Sequence, residues 1–416
     1  MISIKIGYAC INKSINSINF KTCRLKNALQ QRLKELIKYN LESLEEILKY
    51  NKEKNINMYR ISSDIIPFAS HDVNNVDWEL EFKTELNRIK NIINNNNFRV
   101  SMHPGQYTVL NSKNQGVVLK SVKELNYHAK FLDAITDDFT HKIVLHIGGV
   151  YGDKRKAIIR FIENFNLLST SVKKRLIIEN DDKNYTIEEV IYISEKLKIP
   201  IVFDNLHNEI NGNYNIFELF KKIYYSWKDE DGIPKFHYSQ QAPYKRTGSH
   251  TQTIEPFSFF KYINKFNYDI DIMLEVKDKN LSVEKIMNLK ENKSNIMRDE
   301  WGKYKYNVMK KSYNDYKRIS KYINTENPSW NNVCTMLENC FNKQESIEES
   351  LNTYMHIWGY FKKLANDKEK RSFLELINKS KNTSFDSYDI EKYLFDLSQK
   401  YNMKYLLNSY FFNDIN

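Results

Sequence analysis

The run "HKIVLHIGGVYGDKRKAIIRFIENFNLLSTSVKKRLIIEND" (residues 141–181) holds two short apolar stretches, "HKIVLHIGG" and "RLIIEND", joined by an amphipathic segment. Each stretch ends on a polar group that a plain core strand does not need, His146 in the first and Glu179 in the second. This reads as a β-α-β unit whose strands are buried on both faces and turn polar at their C-terminal ends. The pattern recurs along the chain. "SIKIGYACI", "NMYRISSD", "FRVSMHP", "IPIVFDNLH", "IPKFHYSQQ" and "DIDIMLEVKD" bring the strand-like runs to eight. Between them lie helical patterns such as "LKNALQQRLKELIKYNLESLEEILKYNKE", with apolar residues every three or four positions. Capping side chains predict helix starts at Asp77, Thr186 and Ser282. Eight β-α units over residues 1–290 predict an α/β fold closed as a TIM (β/α)8 barrel. A doubly wound sheet is the alternative, but "IGYACIN" carries no G-x-G-x-x-G after the first strand.

Near residue 300 the texture changes: helical patterns continue and the β-branched runs stop. The expected organisation is a barrel over 1–290, a linker or connecting helix over 291–329, and a small all-helical domain over 330–416. The 63 Lys and Arg against 52 Asp and Glu give a formal charge of +11, which attracts phosphates at long range. A coding sequence rich in A and T would yield the same Lys, Asn, Ile and Tyr content without a nucleic-acid partner. Four cysteines without a C-x-x-C pair argue against a disulfide framework and a zinc knuckle. No run is long enough to span a membrane and no leader-like stretch opens the chain, so a cytoplasmic protein is expected.

The polar residues at the strand ends carry the chemistry. His71 lies past the second strand, His103 ends the third, His146 the fourth and Glu179 the fifth. Asp204 and His207 end the sixth, and Glu275 ends the eighth. Lys235 and His237 sit two apart in the seventh and so share a side. His250 follows in "GSHTQT". Six of the nine histidines therefore fall on the rim where barrel enzymes place their chemistry, and His128, His141 and His356 are read as structural. So many polar groups at one mouth need partners. Imidazole and carboxylate together suit Mn, Zn or Fe. The ligand number fits two or three ions, the arrangement used to cleave phosphodiesters.

The stretches "IGYACIN", "RISSDIIPFASH", "SMHPGQY", "LHIGGVYGDK", "IENDD", "FDNLHNEIN", "PKFHYSQQ", "GSHT" and "MLEVKDK" resemble, in order, the UV damage endonuclease family (UvsE/UVDE). The resemblance implies an enzyme that nicks double-stranded DNA immediately 5′ to cyclobutane pyrimidine dimers, 6-4 photoproducts and some other lesions. The implied chemistry is metal-activated hydroxide attack leaving 3′-OH and 5′-phosphate. It implies two or three Mn2+, with Zn2+, Co2+ or Mg2+ as alternatives, held by His71, His103, His146, Glu179, Asp204, His207, His237, His250 and Glu275. Glu179 and Lys235 become the catalytic residues, Lys235 either carboxylated or a free cation at the phosphate. Gln106 and Tyr107 become the pair that probes the lesion, and Tyr8 a further aromatic lining it. The expected enzyme acts as a monomer in a bacterial cytoplasm, on the nucleoid.

The tail stretches "LNTYMHIWGYFKKLANDKEKRSFLELI" and "YLLNSYFF" resemble the YbgA-like helical domain, a module of poorly defined function. Lys362, Lys363, Lys368, Lys370 and Arg371 follow Trp358, Tyr360 and Phe361. They fit either a nucleic-acid patch or a solvated helix face over a core stripe. Two other activities compete for the barrel. An abasic-site endonuclease would need no photoproduct preference. A xylose-isomerase-like sugar isomerase or epimerase would have no use for Gln106-Tyr107 on an exposed loop. A non-enzymatic DNA-binding module would leave the ligand set unexplained.

Overall fold

A computed structural model describes residues 4–15, 18–243, 245–382, 387–413 and 415. The chain divides into two compact units. One comprises 1–242, 247–254 and 266–284, the other 243–246, 255–265 and 285–416.

The first unit is a closed barrel of eight parallel strands in chain order. They are β1 (Ile6–Ala9), β2 (Met58–Ile61), β3 (Arg99–Met102), β4 (Lys142–His146), β5 (Leu176–Glu179), β6 (Ile201–Asp204), β7 (Lys235–Tyr238) and β8 (Asp271–Leu274). Pairing of Ile6 with Ile272 and of Tyr8 with Leu274 closes β1 on β8. The strands are short because each apolar run gives way to its polar tip within four or five residues. Helix Gln30–Glu53 buries Leu33, Ile37, Leu41, Leu44 and Leu48, the stripe its periodicity predicts. Thr186 and Glu189 form a capping box, and Asp77 caps the short helix Trp78–Glu81. Ser282 does not start a helix. It lies inside helix Asn280–Lys290, where its hydroxyl accepts from Ile254 N at 2.9 Å and donates to Asp278 at 2.6 Å.

Inside the barrel, Val144, Ile177 and Val202 pack on Trp227 as an apolar layer. The charged pairs Arg99–Asp271 (2.7 Å) and Lys142–Asp231 draw on residues at or just before strand starts. The polar tips lie at the opposite ends of the same strands. Gly7 is required where it stands, because a Cβ there would lie 2.4 Å from the carbonyl oxygen of Met58.

The second unit is helical. Residues 291–329 contain helices Ser294–Lys311 and Tyr313–Ile323 and fall within this unit instead of forming a linker. Its core gathers Tyr354, Trp358, Phe361, Phe373, Leu394 and Phe411. Among the described residues, no helix is long and apolar enough to cross a membrane.

Candidate metal centre and endonuclease site

Strand geometry delivers the polar tips to one mouth. His146 ends β4 in register with Glu179, and Asp204 ends β6 in register with His237. Two groups of three ligating atoms lie within 4.8 Å of one another: His103, His146 and Glu179, and Glu179, Asp204 and His207. They share Glu179, which is fully buried and stands at the centre of the mouth.

The imidazoles are oriented from behind. His103 Nδ1 lies 3.1 Å from the carbonyl of Pro104, and His207 Nδ1 lies 2.9 Å from the carbonyl of Asn180. His237 Nδ1 lies 2.7 Å from Glu179 Oε1. A carbonyl or carboxylate oxygen accepts, so in each ring Nδ1–H donates and Nε2 is left to face another partner. This is the arrangement that metal-ligating histidines adopt. Asn180 serves twice, since its side chain also brackets Asp204, accepting from Asp204 N at 2.9 Å and donating to Asp204 O at 3.0 Å.

Several buried polar atoms here, among the described residues, lack a hydrogen-bond partner: His146 Nδ1, Glu179 Oε2, Asp204 Oδ2 and His237 Nε2. His103 Nε2 approaches Glu179 Oε2 at 3.3 Å without hydrogen-bond geometry. Each buried unsatisfied group costs about 1–3 kcal/mol, so this concentration at one mouth implies a partner of opposite charge. The donor set is nitrogen and carboxylate oxygen, which fits borderline divalent cations.

Charge reinforces the geometry. Burial opposes the His207 cation, but the carboxylates of Asp204 and Glu179 outweigh it and push the imidazole up to about 9. Burial pushes His146 down to about 4 and Asp204 up to about 6. Burial alone would raise Glu179, yet the surrounding His237 and His146 hold it well below the usual carboxylate range. Glu275 is likewise held low against its burial, chiefly by the guanidinium of Arg60, whose Nη1 donates to Oε1. Burial also drives Lys235 well below the usual lysine range.

The remaining expected residues fall in four places. His237 Nδ1 lies 3.4 Å and His250 Nδ1 4.0 Å from the Glu275 carboxylate, on the β8 side of the mouth. His71 is exposed, its Nδ1 accepting from Val73 N at 3.0 Å, and it belongs to neither three-ligand group. Gln106 and Tyr107 occupy the tip of a turn closed by Thr108 N donating to Gly105 O at 2.9 Å, with Tyr107 84% exposed. Tyr8 does not line the mouth. It is fully buried, and its hydroxyl donates to Asn51 Oδ1 on helix Gln30–Glu53 at 2.7 Å and accepts from Asn12 at 2.8 Å. Sequence reasoning missed Arg60 and Asn180. A lone arginine inside the strand run "MYRIS" was the available signal for the first.

Residues 4–306 match the family described as UV-endonuclease UvdE. The chain belongs to this family. It is an endonuclease, and residues 305–415 match a second family, described as a protein of unknown function, DUF1722. The UV DNA damage endonuclease of Clostridium perfringens is 40% identical over 383 residues, covering 88% of this chain and 93% of that protein. The UV DNA damage endonuclease of Bacillus cereus (strain 03BB102) is 36% identical over 263 residues, covering 62% of this chain and 83% of that protein. The solved structure "Crystal Structure of SacUVDE" superposes with a TM-score of 0.66 at 37% identity, covering 70% of this chain and 98% of that one.

Proposed function

We propose that this UvdE-family endonuclease acts in DNA repair, nicking the damaged strand of double-stranded DNA immediately 5′ to UV photoproducts and leaving 3′-OH and 5′-phosphate ends. The observation that carries the chemistry is the pair of three-ligand groups meeting at Glu179, in which the Nδ1–H groups of His103 and His207 are already spent on carbonyl oxygens. The names carried by the Clostridium and Bacillus relatives support the substrate.

His103, His146, Glu179, Asp204 and His207 would hold two ions, and His237, His250 and Glu275 line the other side of the mouth, where a third would sit with His71 turned inward. Two or three Mn2+, or Zn2+, Co2+ or Mg2+ in their place, would supply the activated water and the neutralisation of the leaving oxygen. The chain's own residues do the rest. Pro104 O and Asn180 O fix two imidazole rings, and Arg60 holds Glu275. Lys235, fully buried and driven toward its neutral amine, is in the form that takes up carbon dioxide, so we favour its carboxylated state over a cation at the phosphate. Gln106 and Tyr107, outside the ligand groups and exposed, are free to enter a duplex. A damaged step is already poorly stacked, and an inserted ring replaces stacking of about 1–3 kcal/mol per base.

The test is incubation with Mn2+ and a duplex bearing one defined photoproduct, with the nick mapped to the nucleotide. A cut on its 5′ side, extendable by a polymerase, is expected. Cutting confined to abasic sites would replace this reading with an abasic-site endonuclease.

A further inference from the structure

The helical unit carries a surface that the barrel's chemistry does not use. It holds 26 Lys and Arg against 18 Asp and Glu, a surplus of eight out of eleven for the whole chain. The aromatics of "WGYF" separate here. Trp358 stacks on Phe373 at 4.2 Å in the core and Phe361 is fully buried, while Tyr360 faces outward, 39% exposed. Tyr405, 49% exposed, lies nearly parallel to it, with ring centroids 6.1 Å apart and 21° between planes.

Both rings are held. Tyr360 OH lies 3.1 Å from Tyr306 OH, and Tyr405 OH donates to Gly302 O at 3.4 Å. Lys305 Nζ stands 4.6 Å over the Tyr405 ring. Lys362, Lys363 and Lys404 are exposed chain neighbours of the two tyrosines, and none is in an ion pair among the described residues.

We propose that this surface binds single-stranded DNA, its bases stacking on Tyr360 and Tyr405 and its phosphates meeting Lys305, Lys362, Lys363 and Lys404. Cations alone would serve for a duplex, whose base faces are covered. A held, parallel, exposed ring pair serves only bases that are free to stack, and ring faces between lysines are the standard means of holding a single strand. The choice of DNA over RNA rests on the function proposed for the barrel.

The probe is fluorescein-labelled (dT)20, bound to the full chain in EDTA and followed by anisotropy. Tyr360→Ala with Tyr405→Ala should weaken binding roughly tenfold to a hundredfold, and the two Tyr→Phe changes, which keep the ring faces and lose only the hydroxyl contacts that hold them, should weaken it far less. The triple variant Lys362→Ala, Lys363→Ala, Lys404→Ala alters only exposed side chains and should lower the log-log salt slope by about 0.7 per lost contact. Wild-type protein that fails to bind (dT)20 at low salt would overturn the proposal. So would equal losses on single strand and duplex, or poly-glutamate bound as tightly and with the same sensitivity to the tyrosine changes. Nicking of photoproduct duplex, measured on the same proteins, reports on the barrel alone, so single-strand binding without nicking would sink only the repair reading.

Discussion

His207 makes metal binding at the barrel mouth depend on pH in a calculable way. Its imidazole is pushed up to about 9 by Asp204 and Glu179, so at neutral pH a proton occupies the ring in the metal-free protein. Its Nδ1–H faces Asn180 O, and a cation must take Nε2 from that proton. Proton competition then suppresses apparent affinity by about a hundredfold at pH 7 and by about fourfold at pH 8.5. Affinity for Mn2+ should therefore rise by about 25-fold across that interval, with close to one proton released per site at pH 7. The metal-free protein behaves oppositely. A histidine whose folded value lies above the ordinary 6.5 contributes stability that is complete below 6.5 and is lost as pH rises through about 9. The gain in melting temperature on adding Mn2+ should thus widen with pH. Calorimetric titration in two buffers of different ionisation enthalpy counts the protons, and melts with Mn2+ or EDTA follow the stability. His207→Asn should flatten the affinity profile. Wild-type affinity that stays level from pH 7 to 8.5 with no proton released would refute His207 as a ligand and the electrostatics that charge it.

Three further outcomes follow from the same geometry. Glu179→Gln should abolish nicking while the fold persists, because a neutral amide cannot serve both ligand groups; activity at full metal occupancy would end the multi-metal reading. Arg60→Leu removes the main counter-charge of Glu275, itself only 14% exposed, and leaves His237 and His250 beside it, so urea denaturation of the metal-free protein should show a loss of about 3 kcal/mol. Mn2+ should recover part of that loss, and a change below about 1 kcal/mol would mean that the pair is solvated. Gln106→Ala with Tyr107→Ala should keep metal stoichiometry and melting temperature but cut photoproduct cleavage by roughly one to three powers of ten, with less effect at an abasic site. Equal loss on both substrates would assign the turn to general support of the site.

The barrel was legible because strands buried on both faces read as uninterrupted apolar runs, and the ligands because each run stops on a polar residue. What those runs hide is phase. "IGYA" is apolar at every position, so nothing in it says which residues face inward. In the fold Gly7 and Ala9 meet Met58 inside the barrel, while Tyr8 points to Asn51 on the surrounding helix. The lesion-lining role expected for Tyr8 fails on that parity. Arg60 escaped notice for a different reason. Its carboxylate partner lies 215 residues away, and only closure of β1 on β8 brings the two together. The segment 291–329 looked like a connection because it holds no strand-like run, yet its two helices bury Met297, Trp301, Tyr304, Ile319 and Ile323.

The interior of the barrel also bears on the state of Lys235. The residue pairs with Asp271 in register, and its coulombic neighbours include Arg99, Arg60 and Lys142. Burial and these three cations disfavour an ammonium there, and Asp271 opposes them only in part, being already engaged by Arg99 at 2.7 Å. An Nζ without a hydrogen-bond partner in such company is poorly accounted for as a structural lysine. A carboxylated Nζ reverses the sign of the charge–charge interactions alone, since burial opposes either charge. The same guanidinium and ammonium groups that oppose a cation attract an anion, and the added oxygens supply acceptors. Lys235 and His237 lie two residues apart on one strand and share its inward side, so the new charge would sit beneath the ligands of the mouth. The electrostatics of the barrel floor therefore favour the proposed modification on grounds independent of the metal ions it would help to hold.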